Sequence, residues 1–201
     1  HKVYSQDELQ AIVKYCDDNG KVVLKTIIYL VYGSQMRISE VLRIQIKDIQ
    51  FSRNRIVLPK GKAKVKNKEK IVLLDEPVKQ YLLTLRVDFS NPDLQDHYLI
   101  GISKKFSKVK FAGELPSSKD TVDTHFKALK KTLGLPANKT LYSFKHTGNV
   151  NLMLDGADLL ELMIKNGHSK ISQTETYLRQ LIEQVPELKY VRKTREDLAF
   201  N

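Results

Sequence analysis

Residues 165–179 read KNGHSKISQTETYLR, and the punctuation inside that stretch decides how the C-terminal part of the chain folds. Gly167 follows the helical run LLELMIKN, and a glycine there takes the left-handed backbone that closes a helix. Ser172 and Glu175 stand at capping-box spacing, each side chain able to satisfy an orphan N–H of a first turn. A new helix therefore begins near Ser172, and Tyr177 falls about one turn inside it. The apolar stripe of this helix is Leu178, Leu181, Ile182 and Val185. At about 100° per residue, Tyr177 lies roughly a right angle from the centre of that stripe. A tyrosine on such a flank either packs or turns its hydroxyl into a cleft. His168, just past the helix-ending glycine, is either a cap or core-edge histidine or a partner for that hydroxyl. The residues alone leave both pairs of readings open.

Working back from this stretch, YSFKHTGNVNLML reads as a helix interrupted at DGAD, after which Asp158 caps LLELMIKN. Lys145 and His146 fall near the start of that helix, where the dipole disfavours cations. That placement points either to an anion held there or to simple exposure. Asp120 to Lys131 forms another helix, with Val122, Phe126, Leu129 and Leu133 on one face and Gly134 beyond its end. At the opposite terminus, Ser5 and Glu8 make a capping box before Leu9, Ile12, Val13 and Cys16. VVLKTIIYLVYG is apolar nearly all round and reads as a buried helix stopped at Gly33. A short helix, SQMRISEVLRI, is entered at about Ser34. Two β-branched runs, RIVLP (55–59) and KIVLL (70–74), flank a lysine-rich tip and predict a β-hairpin, with a third strand in HYLIGI. The expected fold is mainly α with one small antiparallel β-sheet.

The chain has 201 residues, 41% of them hydrophobic, with six prolines, which suits one folded domain. Its single cysteine, Cys16, excludes an internal disulfide and fits a reducing compartment. No apolar run approaches the roughly 20 residues of a membrane span, and the opening residues do not form a signal peptide. Thirty-four lysines and arginines against 23 acidic residues give a net charge of +11. Such a balance suits a polyanion, most often nucleic acid.

The side chains that carry chemistry are chiefly cations and a tyrosine. The five histidines show no ligand spacing, one cysteine makes no zinc site, and there is no phosphate loop of the G-x-x-x-x-G-K type. Arg37 sits in the polar interruption GSQMRISE between two apolar helices. There it either grips a phosphate with its planar guanidinium or pairs with Glu40 one turn on. Lys60, Lys62, Lys64, Lys66, Lys68 and Lys70 are spaced by two, so an extended strand puts them on one face. They form a stripe for a DNA backbone, a source of a proton for a leaving oxygen, or a solvated loop.

Taken in order, these features resemble a family. YGSQMRISEVLRIQIKDI resembles the first motif of tyrosine recombinases (phage integrases), T-G-x-R-x-S/G-E-x-x-x-L-x-x-x-D-I. LYSFKHTGNVNLMLDGADLLELMIKNGHSKISQTETYL resembles the second, H-x-L-R-H-T followed by a helix and then L-G-H-S-x-x-x-T-x-x-Y. A basic hairpin lies between them, and the likeness runs from about Tyr4 to Leu178. The SFKHTG version is similar, more loosely, to integrases of Bacteroides-type phages and mobile elements. The resemblance implies the DNA breaking-rejoining fold and a single catalytic domain over 1–201, with a core of about 4–178 and a tail over 179–201. It also implies that an N-terminal core-binding domain belongs to a longer protein of which this is a piece.

Carried over by position, Arg37 is the first catalytic arginine, Glu40 its companion, His168 the family's His/Trp position and Tyr177 the nucleophile. Counting from DIQF makes the hairpin lysine Lys62; counting back from IVLL favours Lys64 or Lys66. Two positions depart: Tyr142 stands where histidine is usual and Lys145 where the second arginine is usual. A lysine keeps the charge but loses the bidentate fork, and a tyrosine is no general base near neutral pH. The neighbouring His146 is one group that would compensate. Further DNA contacts are expected from Lys60, Lys64, Lys66 and His146.

The implied activity is site-specific recombination of double-stranded DNA through a 3′-phosphotyrosyl intermediate, without metal or other cofactor. The alternatives are relaxation of the type IB topoisomerase kind and a non-enzymatic DNA-binding relative. The implied partners are DNA and three further copies in a tetramer on it, with a monomer or weak oligomer otherwise and no membrane. The implied setting is the bacterial cytoplasm, on the nucleoid when DNA is bound.

Overall fold

The computed structural model of the chain describes residues 2–61, 69–105, 108–186 and 188. The first helix, α1 (Gln6–Asp18), opens on the expected box: Ser5 accepts from the Glu8 amide while Glu8 accepts from the Ser5 amide at 2.7 Å. The next, α2 (Val22–Gly33), carries the apolar run, and Leu24, Ile27, Ile28, Leu30 and Val31 are all buried. It is the central helix of the molecule.

Between α2 and α3 (Ile38–Val41) the chain departs from expectation. Ser34 ends α2 instead of starting the next helix, and Gln35 adopts a left-handed backbone with φ of 54°. That turn keeps the chain out of helical geometry until Arg37, which becomes the residue just before α3. A left-handed non-glycine residue costs roughly 1–2 kcal/mol. Here the cost is offset by hydrogen bonds to both the Gln35 carbonyl and its side-chain oxygen.

The predicted hairpin forms within a three-stranded antiparallel sheet, β1 (Ile49–Gln50), β2 (Arg55–Leu58) and β3 (Lys70–Leu73). Its register pairs Arg55 with Leu73 and Leu58 with Lys70. Ile56, Leu58 and Val72 point into the core, as period-two alternation requires. After α4 (Glu76–Leu83), a second sheet of three strands appears where one sheet was expected: β4 (Tyr98–Ile102) lies between β5 (Val109–Gly113) and β6 (Leu115–Pro116). HYLIGI does contain β4, but Ala112 in β5 has φ of 50°, which breaks the alternation that would reveal that strand in the sequence.

The C-terminal half is α5 (Lys119–Thr132), α6 (Leu141–Leu154), α7 (Leu159–Asn166) and α8 (Ile171–Gln184). Val122, Phe126 and Leu129 are the buried face of α5. Gly167 ends α7 with φ of 66°, and Asp158 caps it by accepting from the Glu161 amide at 2.8 Å. At α8 the expected cap does not form: Lys170 precedes the helix and Ser172 lies inside its first turn. The Gln173 side chain instead accepts from the Ser169 amide at 3.1 Å, fixing the start of the helix two residues earlier. Among the described residues, no helix is long and apolar enough to cross a membrane.

One core links both halves, from Ile12 and Leu30 through Leu58 and Leu99 to Leu129 and Phe144. Tyr4 stacks on Phe144 with ring centroids 4.4 Å apart. A smaller cluster of Val150, Leu181 and Leu188, with Tyr177 and Leu178 packed against it, holds α8 on α6. The helices α2 and α6 approach closely at Gly148. A methyl group there would overlap the Tyr32 carbonyl oxygen and the Gln35 side-chain amide. Gly148→Ala therefore forces the two helices apart, and we expect a loss of about 1–3 kcal/mol, measured as a lower urea midpoint at an unchanged slope.

Candidate active site

The site is assembled from four places: the turn before α3, the first residue of β3, one face of α6, and the stretch from Gly167 into α8. On α6, Tyr142, Lys145, His146 and Asn149 follow helical i, i+3, i+4, i+7 spacing, so they project from one side. Tyr142 falls in the first turn, and Lys145, His146 and Asn149 lie one to two turns inside, because α6 begins at Leu141.

The first half of the site is a carboxylate held among cations. Glu40 is 1% exposed. It accepts from the Arg37 amide at 2.9 Å, from Arg37 Nη1 at 3.1 Å and from Lys70 Nζ at 2.8 Å. Burial alone would raise its pKa, but the Lys70 ammonium and the Arg37 amide and guanidinium outweigh burial and hold it below the usual carboxylate range. Burial pushes Lys70 below an ordinary lysine by more than Glu40 lifts it.

Lys145, also 1% exposed, donates to the Gln35 carbonyl at 2.6 Å. Burial, with Arg37 and Lys70 nearby, lowers its pKa to about 7. An ammonium has three donors and that carbonyl takes one. Three basic side chains around one carboxylate leave an excess of positive potential, the electrostatic signature of a site for an anion. Beside it, a cleft of about 730 Å³ opens past Arg37 and Tyr142, with Lys119, Lys127, Lys130 and Lys139 in its lining.

The second half is a tyrosine with its hydroxyl engaged. Tyr177 Oη lies 2.9 Å from His146 Nδ1 and accepts from Asn149 Nδ2 at 3.1 Å. The His146 ring stacks on Tyr177 at 5.4 Å, and Tyr142 meets His146 edge-on at 4.8 Å. His168 stands edge-on to Tyr177 at 6.0 Å, with its Nδ1 2.8 Å from Thr174 Oγ1. Burial raises the Tyr177 phenol well above an ordinary tyrosine. Burial is also the main cause that lowers His146 and His168 to about 4, so both imidazoles are neutral at pH 7.

The two halves are joined by one buried amide. Asn149 Nδ2, besides reaching Tyr177 Oη, lies 2.6 Å from Gln35 Oε1 and 2.8 Å from the Lys145 carbonyl. Asn166 donates to Asn149 Oδ1 at 2.5 Å and to the Leu162 carbonyl at 2.9 Å.

Of the residues singled out in the sequence, the fold brings Arg37, Tyr142, Lys145, His146, His168 and Tyr177 together. His146 faces inward against Tyr177. Lys60 is exposed just beyond β2, while Lys62, Lys64 and Lys66 lie outside the described residues. Lys70 belonged to the lysine stripe, but only the Leu58–Lys70 register shows that it turns toward Glu40. Asn149 was not anticipated. Its only sequence signal is helical spacing from Lys145 and His146. Among the described residues, no group of three His, Cys, Asp or Glu side chains is placed to hold a metal ion.

Comparison with known proteins shows the family and the fold. The model of the phage integrase family matches residues 2–184. The tyrosine recombinase XerC of Rickettsia peacockii (strain Rustic) is 27% identical over 190 residues, covering 90% of this chain. The chain spans 57% of the length of that relative. Among solved structures, the XerA recombinase superposes with a TM-score of 0.64 at 19% identity, over 92% of this chain and 65% of that one. The Tn1549 transposon integrase in complex with transposon right end DNA gives 0.66 at 17% identity, over 92% and 66%. At those identities the structural likeness speaks to the fold.

Proposed function

Since the chain belongs to the phage integrase family, we propose that it is the catalytic part of a site-specific DNA recombinase acting in the bacterial cytoplasm. The observation that carries this reading is the juxtaposition already described. A tyrosine hydroxyl is fixed by His146 and Asn149, and Asn149 ties it to the cationic cluster of Arg37, Lys70 and Lys145. A scissile phosphodiester seated on that cluster meets Tyr177 Oη as the attacking atom. The new bond joins Oη to phosphorus as a 3′-phosphotyrosyl ester, and the bond to the 5′ oxygen breaks.

Arg37, Lys145 and His168 stabilise charge on the non-bridging oxygens, usually the largest single contribution in such sites. The leaving 5′ oxygen takes a proton from a hairpin lysine, for which we propose Lys62, with Lys64 as its alternative. Strand exchange follows when the 5′-hydroxyl of a partner duplex attacks the phosphotyrosine. The ester conserves the energy of the broken bond, so the exchange requires no nucleotide.

The experiment that tests this uses a nicked suicide substrate from which the 5′ product strand diffuses away. The expected result is an adduct that survives denaturation and maps by peptide sequencing to Tyr177. An adduct on another residue, or DNA binding with no adduct, overturns the reading; the latter result describes a non-enzymatic DNA-binding relative.

The first part of the 179–201 tail continues α8 and packs on α6 through Leu181 and Leu188; we further infer that the rest, beyond Leu188, docks on a neighbouring subunit and closes a tetramer on DNA, with a monomer or weak oligomer in the absence of DNA. Support comes from a cleft of about 840 Å³ between α1, α2 and α6. Its lining holds apolar Leu9, Val13 and Ile28 together with Asp17, Asp18 and Asp155. The tail carries LKYVRKTR, of opposite sign. Sedimentation with a duplex site is expected to show four copies together, and removal of 189–201 to leave smaller species. A tetramer that survives the truncation sinks the docking role.

A further inference from the structure

We propose that His146 is the general base for Tyr177, taking the phenolic proton on Nδ1 as the phenol oxygen attacks phosphorus. The proposal deepens the reading of Tyr177 as nucleophile and rests on it.

Asn149 Nδ2 lies 2.8 Å from the Lys145 carbonyl, and Asn166 Nδ2 lies 2.9 Å from the Leu162 carbonyl. Backbone carbonyls only accept, so both amides are fixed with their nitrogens as donors, and Asn149 Oδ1 is left to accept from Asn166. Asn149 Nδ2 therefore faces Tyr177 Oη at 3.1 Å as a donor, sharing its two hydrogens with Gln35 Oε1 at 2.6 Å and the Lys145 carbonyl at 2.8 Å. The phenol has a single hydrogen of its own, and the ring nitrogen 2.9 Å away, His146 Nδ1, is placed to receive it. This assigns His146 the tautomer with its hydrogen on Nε2.

The other groups at the site are less suited. Tyr142 reaches the His146 ring by its edge and is itself a phenol. His168 has its Nδ1 on Thr174 and stands 6.0 Å from the Tyr177 ring, centre to centre. Lys145 is committed to the Gln35 carbonyl beside other cations. Among the described residues, Tyr142 and Lys145 face His146 from α6 and Tyr177 faces it from α8, with His168 beyond. Burial and the Lys145 charge keep the imidazole neutral at pH 7, and a neutral imidazole is the form that can accept a proton.

The step balances. The Oη–H bond breaks and the proton goes to His146 Nδ1. The Oη–P bond forms and the P–O5′ bond breaks, while the leaving oxygen is protonated by a hairpin lysine ammonium. In the reverse direction the imidazolium returns its proton to the phenol. The Asn149 amide nitrogen stays beside Oη throughout, and its shared hydrogens turn toward the developing phenolate.

The test is single-turnover adduct formation on the nicked suicide substrate between pH 6 and 9, with wild type and His146→Asn. Asparagine places an acceptor near the Nδ1 position but has no basicity. With the DNA held at saturating protein, the expected result is a rate about 100-fold lower at pH 7 and a deficit that shrinks as pH rises because solvent then ionises the phenol. A deficit equal at every pH, or none, overturns the proposal. Independently of any variant, nitrogen NMR of the wild-type protein is expected to show His146 with Nδ1 unprotonated. A hydrogen on Nδ1 overturns the assignment. Failure of the underlying reading is distinguishable, because wild type would then form no adduct on Tyr177 at all.

Discussion

Tyr177→Phe protein is expected to form no covalent DNA adduct on a suicide substrate, while binding the same duplex within about twofold of wild type at matched salt. The substitution removes one oxygen and leaves the ring in the cluster of Val150, Leu181 and Leu188 that holds α8. Stability falls by about 2 kcal/mol, because two hydrogen bonds at the flank are lost, each worth about 1 kcal/mol net. DNA affinity comes mainly from phosphate contacts by cations, and Tyr177 supplies none. Denaturing gels report the adduct, and fluorescence anisotropy at fixed salt reports the binding. A surviving adduct would mean that another side chain is the nucleophile.

The second large effect is expected at Lys145. Lys145→Met keeps the length of the side chain and removes the charge, and adduct formation should fall about 10²–10³-fold. The pH dependence carries the sign. Burial beside Arg37 and Lys70 lowers the folded-state pKa to about 7, below the 10.5 of an ordinary lysine. Between those values the unfolded chain binds the proton and the free folded protein does not, so this group makes the free protein more stable as pH rises through that window. Below pH 7 both states are protonated, and the full penalty of the buried charge is present.

A bound phosphate reverses the preference, because it favours the charged lysine. DNA binding above pH 7 must therefore take up a proton. With the Tyr177→Phe protein, affinity should fall by up to about tenfold per pH unit from pH 7 to 9. Lys145→Met should flatten that slope, and an equally steep slope without Lys145 would assign the proton to another group.

The parts of this site that were legible in the sequence are those whose chemistry is carried by residue type and order along the chain. Arg37, His168 and Tyr177 stand in motifs, and Lys145 is visible as a lysine in an arginine's place. Lys70 and Asn149 depend on pairing between distant segments. Lys70 reaches Glu40 only through the register of β3 on β2. Asn149 reaches Gln35 only because α2 and α6 pack closely.

The same division holds for the fold. Helices with strong caps, such as α1 and α7, were read to within a residue or two. Ser172 offered an equally good cap and was overruled by Gln173 at the Ser169 amide. A left-handed residue inside β5 and another at Gln35 removed the local signals for the second sheet and for the entry to α3.

The bare Cα of Gly148 acts as a gauge. It sets how near α6 comes to the end of α2, and that spacing decides whether the Gln35 carbonyl reaches Lys145 and the Gln35 side chain reaches Asn149. Tolerance at this point is a fraction of a hydrogen-bond length. A residue with no functional group thereby fixes the alignment of the cations with the nucleophile. The stability of Gly148→Ala protein and its cleavage rate should accordingly fall together, as two readings of one displacement.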